Sequence, residues 1–292
     1  MLKNFQQIFS FVELFENIER LIYHTGYFGN ERKKYHMANW FRKNNRAEPA
    51  GTEDKIISNE LQAATHVHNS PLLTVTGVHR SFQVGGERLE VLKGIEMELR
   101  PLQLVMLKGR SGSGKTTLLN LIGGLDQPNE GEIMFLNHAF HLGSDNERTL
   151  VRRKEIGFIF QSYALMPLLS AWENVELALR MAGVPRSEWK ERVAYCLELV
   201  GLGKRMYHRP FELSGGEQQR VAIAKAIAHR PSLILADEPT AELDSQMGAQ
   251  IMSVFRSMIA TEQVTICMTT HDPTILEDAD HVYEMVDGKF VS

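Results

Sequence analysis

Cysteine is almost absent: the 292 residues hold two, Cys196 and Cys267, far apart and without metal-ligand spacing. That excludes a disulfide-stapled scaffold and a cysteine metal centre. Cys267 lies in an apolar run and Cys196 in a helix-like stretch, so both read as reduced core residues. Long hydrophobic runs are missing as well. No stretch of about eighteen apolar residues occurs, so no membrane-spanning helix is predicted. The first residues have no basic start, apolar centre and small-residue cleavage site, so a cytosolic chain is expected. Neither sign of charge dominates. A net charge of -4 gives no general attraction to nucleic acid or anionic lipid. What remains is an ordinary globular composition, 43% apolar, on a chain long enough for one large domain or two small ones.

Texture divides the chain at about residue 70. In residues 1–24, Phe5, Ile8, Phe9, Val12, Phe15, Ile18 and Ile22 recur at helical spacing, which predicts an amphipathic helix. Only Lys3 and Arg20 oppose Glu13, Glu16 and Glu19, a balance that suits docking on protein better than on a membrane surface. Residues 25–70 are polar and aperiodic, with a break at Pro49, and read as a flexible linker. These two parts form an N-terminal extension, residues 1–70. A globular domain is expected over 71–292.

Within it, residues 72–82, 89–92 and 95–99 read as short antiparallel strands, the last two meeting at Lys93 and Gly94. Another strand pair is expected around 133–136 and 156–160. Helical periodicity covers 171–181 and 187–200, with Gly201 and Gly203 as stops. The apolar runs 233–236 and 264–268 have the pattern of parallel strands covered on both faces. Residues 282–285 with Asp287 and Gly288 predict a closing hairpin. The class is α/β, with an antiparallel patch before the core and a helical insertion, about 162–213, inside it.

The chemistry starts at Gly109, Arg110, Ser111, Gly112, Ser113, Gly114, Lys115 and Thr116, which fill every fixed position of the phosphate-loop pattern GxxxxGK[ST]. A strand over 103–107 must stop, wrap a polyphosphate in backbone N–H groups, and restart as a helix over 116–122 whose N-terminus faces the anion. Gly109, Gly112 and Gly114 allow the tight turn and the close approach of backbone to phosphate oxygens. Lys115 supplies charge for the β- and γ-phosphates, and Thr116 offers a hydroxyl to Mg2+. Thr117 is counted with the loop as nucleotide-binding. The pattern predicts a nucleoside triphosphate.

Downstream come Leu213, Ser214, Gly215, Gly216, Glu217, Gln218, Gln219 and Arg220, then an apolar helical run, then a buried strand ending in Asp237 and Glu238. From residue 72 onward the chain resembles the ATP-binding-cassette (ABC) ATPases, a P-loop fold. More narrowly it is similar to the nucleotide-binding subunits of the lipoprotein-releasing and macrolide-exporter class. The resemblance implies ATP and Mg2+ as ligands. It implies that Asp237 holds Mg2+, chiefly through water, and that Glu238 polarises the attacking water. Gln161 would reach both the metal and that water, and His271 would hydrogen-bond the γ-phosphate. Phe82 would stack on adenine. Asp244 falls in the family's dimer-contact loop, although Glu242 stands where small or amide residues are commoner.

Ser214, Gly215 and Gly216 open a helix and make a second anion site. The resemblance implies that each such motif completes the phosphate loop of another subunit, giving a head-to-tail homodimer or heterodimer closed by ATP. A bulky side chain at Gly216 is then expected to block the partner's γ-phosphate while leaving the single chain intact. The implied function is ATP hydrolysis that powers a separate transmembrane permease, with this subunit peripheral at the cytoplasmic face of the membrane. The apolar run Met166, Pro167, Leu168 and Leu169 is expected to take part in the groove for that permease, and no nucleic-acid partner is expected. Two other classes share the motifs. A soluble ABC protein of DNA repair or translation generally fuses two cassettes or inserts a long arm, for which the interval from Lys115 to Ser214 has no room. An ABC complex that signals across the membrane without transport is not separated from a transporter by these residues.

Overall fold

The structure, a computed structural model, describes residues 70–291. The helix expected over 1–24 and the linker over 25–70 lie, Ser70 apart, outside the described residues.

The centre is a strand whose first four positions are buried. In β3 (Leu104–Lys108), Leu104 and Met106 enter one core while Val105 and Leu107 enter the other, because successive side chains point to opposite faces. The neighbouring parallel strands β7 (Leu233–Ala236) and β8 (Thr265–Thr270) divide the same way. Ile234, Ala236, Ile266 and Met268 face the first core; Leu233, Leu235 and Cys267 face the second. With β6 (Ile156–Ile159), β9 (His281–Val286) and β10 (Lys289–Val291), they form a six-stranded sheet ordered β10-β9-β3-β8-β7-β6. Only the β9–β10 hairpin in it is antiparallel. Both cysteines are buried and free.

A second, antiparallel sheet has the order β2-β1-β4-β5, from β1 (Leu73–Val84), β2 (Glu87–Leu99), β4 (Glu130–Phe135) and β5 (His138–Ala139). It packs over the second core together with α1 (Lys115–Ile122). The first core is closed by α3 (Ala171–Ala182), α4 (Arg186–Leu199), α5 (Gly215–Ile227) and α6 (Ser245–Glu262).

Two expectations need correction, and two helices were not expected. The segments read as separate strands over 89–92 and 95–99 are one strand: His79 pairs with Lys93 and Val78 with Ile95, leaving Gly94 as an unpaired bulge residue that bends the strand without ending it. The strands expected around 133–136 and 156–160 do not pair with each other. β4 joins β1, whereas β6 joins β7 in the other sheet, because α2 (Asp145–Glu155) carries the chain between them. That helix itself escapes periodicity: it buries no residue, so it has no apolar stripe to detect. Its stability rests on a Ser144–Glu147 capping box, acids in the first turn and bases in the last. α6 is also new, although its buried Ile251, Met252, Phe255, Met258 and Ile259 follow helical spacing.

Candidate functional site

The phosphate loop joins β3 to α1 at the C-terminal edge of the parallel sheet, where ligand crevices form in open α/β folds. Gly114 sits at φ 113°, and a Cβ there would lie 2.8 Å from Leu92 Cδ2, so no other residue fits. Lys115 is 5% exposed. Its ammonium donates to the carbonyls of Gly109 (2.7 Å) and Arg110 (3.2 Å), so the charge is held inside the loop. Arg110, Ser111, Gly112 and Thr116 form an exposed lip, and Thr117 is half-buried behind it. Among the described residues, Ser113 Oγ is one of the few buried polar atoms with no partner. A buried hydroxyl left unsatisfied beside a cradle of backbone N–H groups fits an incoming phosphate oxygen.

The acidic pair faces this loop. Asp237 Oδ1 accepts hydrogen bonds from Thr269 Oγ1 (2.7 Å) and from Thr116 Oγ1 (3.2 Å). Burial pushes its carboxyl above the usual range, and those two hydroxyls pull it part of the way back. Thr269 also accepts from the backbone N–H of Glu238 at 2.8 Å, so one hydroxyl orients both acids. Glu238 has φ 47°, an uncommon backbone for a residue with a side chain. Its carboxylate lies 3.9 Å from Lys115 Nζ and 3.4 Å from His271 Nδ1. A cavity of about 280 Å³ opens beside Glu238 and His271, lined also by Thr240, Leu243, Asp272 and Pro273. Thr116 and Asp237 offer hard oxygen donors, the type Mg2+ takes. Among the described residues no group of three His, Cys, Asp or Glu could hold a metal without other ligands. The donor set therefore fits an ion that arrives with phosphate oxygens.

Gln161 leaves β6 beside β7, whose continuation at Asp237 N donates to Ile159 O (2.8 Å), and its side chain is exposed. Tyr163 and Ala164 follow at φ 62° and 49°. This loop is tied to α5: Lys225 donates to Ala164 O at 2.8 Å, and burial lowers the lysine to about 8. The same helix reaches the acidic loop through Gln219, whose amide donates to Pro239 O at 2.7 Å. At the head of α5, Ser214 is exposed. Its side chain accepts from Glu217 N while Glu217 accepts from Ser214 N, a capping box. No described hydrogen bond joins Ser214, Gly215 or Gly216 to the phosphate loop. Asp244 likewise caps its own helix, α6, at Met247 N, and Phe82 lies on β1 in the antiparallel sheet.

Three other contacts escaped the sequence reading. Thr269 is one, though it sits in the Thr-Thr step before His271. Tyr163 is another: its hydroxyl donates to Glu242 (3.2 Å) and lies 3.1 Å from where Gly215 would carry a Cβ. The third is the neighbour of Gly216. A Cβ there would meet only the flexible end of the Met247 side chain in the same chain, which is partly exposed and can swing aside.

Residues 92–241 match the ABC transporter family. The match takes in the phosphate loop, the serine-glycine motif and the acidic pair at once. The chain belongs to the ABC transporter family. The cassette is 39% identical over 220 residues to the lipoprotein-releasing system ATP-binding protein LolD of Saccharophagus degradans, covering 75% of this chain and 96% of that one. It is 44% identical over 219 residues to the macrolide export ATP-binding/permease protein MacB of Wolinella succinogenes, covering 75% of this chain. The cassette spans only 34% of that longer relative. Its fold matches a dimeric ATP-binding cassette, MJ0796, solved in a post-hydrolysis state with ADP and phosphate (TM-score 0.70, 38% identity, 75% of this chain and 97% of that one). These relationships agree with the α/β P-loop fold expected for the cassette.

Proposed function

We propose that the cassette binds and hydrolyses ATP as the energy-supplying subunit of a transporter whose membrane-spanning part is a separate polypeptide. The observation that carries this is the meeting of Lys115, Thr116, Asp237, Glu238 and His271 in one crevice beside the phosphate loop. Loop amides, Lys115 and the Ser113 hydroxyl bind the β- and γ-phosphates. Thr116 and Asp237, together with Gln161, would hold Mg2+, which would offset phosphate charge when bound. Glu238 accepts a hydrogen bond from the attacking water and polarises it. Its fixed backbone and the Thr269 contact keep the carboxylate aimed. His271 hydrogen-bonds the γ-phosphate, and Phe82 stacks on the base.

Ser214 and Gly215 are exposed at the head of α5, with no described hydrogen bond to their own phosphate loop, and with Gly216 behind them they suit the nucleotide of a second cassette. The dimeric neighbour MJ0796 supports that arrangement. LolD and MacB, named for lipoprotein release and macrolide export, support a membrane partner. Among the described residues no helix is long and apolar enough to cross a membrane. The run Met166–Leu169 is pinned by Asn174, whose amide holds both the N–H and the carbonyl of Met166. It leaves Leu168 78% exposed, and Tyr207, whose ring stacks on Trp172 of α3, is 75% exposed. We assign this apolar surface to the permease and the cassette to the cytoplasmic face of the membrane.

Glu238→Gln tests the reading. The amide keeps shape and hydrogen bonding but accepts a proton poorly, so turnover should fall about 10²–10⁴-fold while ATP binding persists and an ATP-bound dimer accumulates. Single-turnover phosphate release at the wild-type rate would remove Glu238 from the chemistry.

A further inference from the structure

Arg80 and Phe82 are alternate residues of β1 and share one face of the strand. The guanidinium carbon of Arg80 lies 4.5 Å from the centroid of the Phe82 ring, within cation–π range. That guanidinium is itself fixed. Its Nε and Nη2 donate in parallel to the two carboxylate oxygens of Asp126, at 2.9 and 2.7 Å. Asp126 follows α1, the helix opened by the phosphate loop, and its backbone N–H bonds to Asn120 O. A second tie repeats the link, with Asn129 Oδ1 accepting from Ser81 N at 2.7 Å. On the other side, Leu92 pairs with Arg80 across the strands and packs against Gly114 of the phosphate loop. The Phe82 ring is therefore held in a set position relative to the phosphate cradle, through a fork–fork ion pair that is only 20% and 29% exposed.

We propose that Arg80 is a positioning residue for the purine base of the bound nucleotide. Held by Asp126, its guanidinium backs one face of Phe82 and fixes the ring for stacking on the other. This rests on the reading that Phe82 is the base platform. Fixing a side chain before the ligand arrives removes the ordering penalty at the moment of binding. The cation also draws π density from the ring and keeps water off its covered face. A lysine would retain the charge but not the planar fork that grips Asp126 and stacks at once.

The test compares a ligand that has a base with one that lacks it. Binding of ADP and of pyrophosphate, each with Mg2+, is measured calorimetrically on the full chain and on Phe82→Ala, Arg80→Gln, Arg80→Lys and the Phe82→Ala/Arg80→Gln double variant. Phe82→Ala should weaken ADP about 5–100-fold and leave pyrophosphate unchanged. Arg80→Gln should weaken ADP about 3–10-fold, leave pyrophosphate unchanged, and add nothing once Phe82 is gone. Arg80→Lys should weaken ADP less than Arg80→Gln does, which keeps the test open should the glutamine variant fold poorly. If Phe82→Ala weakens ADP but neither Arg80 variant does, the proposal is overturned and the Phe82 reading stands. The proposal also falls if Arg80→Gln weakens pyrophosphate equally, or acts undiminished without Phe82. If Phe82→Ala itself leaves ADP affinity unchanged, the base platform fails and Arg80's role with it.

Discussion

Glu238 illustrates how much of this site is decided one residue at a time. Its backbone sits at φ 47°, its N–H is held by Thr269, and its carboxylate has Lys115 on one side and His271 on the other. A glutamate at a strand end with free rotation would reach the same atoms only part of the time. Away from the chemistry, His229 sets a different kind of limit. Its Nε2 bonds to Ile156 O at 3.2 Å, and burial pushes the imidazole down to about 4. An unfolded histidine titrates near 6.5, so the unfolded chain binds this proton first as pH falls. The contribution of neutral His229 is complete above about pH 6.5 and is lost down to about pH 4, with a slope near 1.4 kcal/mol per pH unit for one proton. Chemical denaturation between pH 7 and 4 should show that slope in the wild type and a flatter one in His229→Gln. Parallel curves would assign the acid sensitivity to other groups.

The element that carries most of the wiring is α5. Its head presents Ser214, its middle holds Pro239 through Gln219, and its tail holds Ala164 through Lys225. One helix thus touches the loop after Gln161 and the loop after Glu238, so a shift of either loop is felt at the serine-glycine end. A substitution at Gly216 must also displace the end of Met247, so Ser214→Asp is a simpler probe of the intersubunit contact. Aspartate caps a helix as well as serine does, yet it sets a negative charge against a partner's γ-phosphate. This variant should melt like the wild type and bind nucleotide as a single chain, while losing ATP-driven dimerisation and turnover. Mixed with Lys115→Ala, it should regain partial activity, since one composite site then has both halves intact. Heterodimers that form and stay inactive would rule out complementation across the interface.

On the scale of the whole described domain, one buried ion pair ties the helical layer to the core. Arg192 of α4 meets Glu262 at the end of α6 at 2.6 Å and also donates to the carbonyls of Ile227 and Ala228. Both side chains of the pair are almost wholly buried. Removing one partner from such a pair strands the other charge, so Arg192→Met should cost about 3–5 kcal/mol in denaturant unfolding. A loss within the scatter of surface substitutions would show that water reaches the pair. ADP affinity of the variant should be unchanged, because the pair has no described bond to the phosphate loop.

The residues of the chemistry could be read directly from the chain because their spacing is local or their setting is: eight consecutive positions make the phosphate loop, Asp237 and Glu238 directly follow one apolar run, and His271 follows another after two threonines. The apolar runs likewise announced the parallel core and the closing hairpin. Folding alone decided what depends on distant partners. Strands β4 and β6 were expected as a pair, but they enter different sheets because a polar helix with no apolar stripe lies between them. Thr269 became the bridge between the two acids, and Tyr163 came to rest against Gly215. Asp126 closed on Arg80 behind Phe82. Each of those contacts joins residues many positions apart, and a side chain's partner across such a gap is chosen by the packing of the sheets, which no local pattern of residues records.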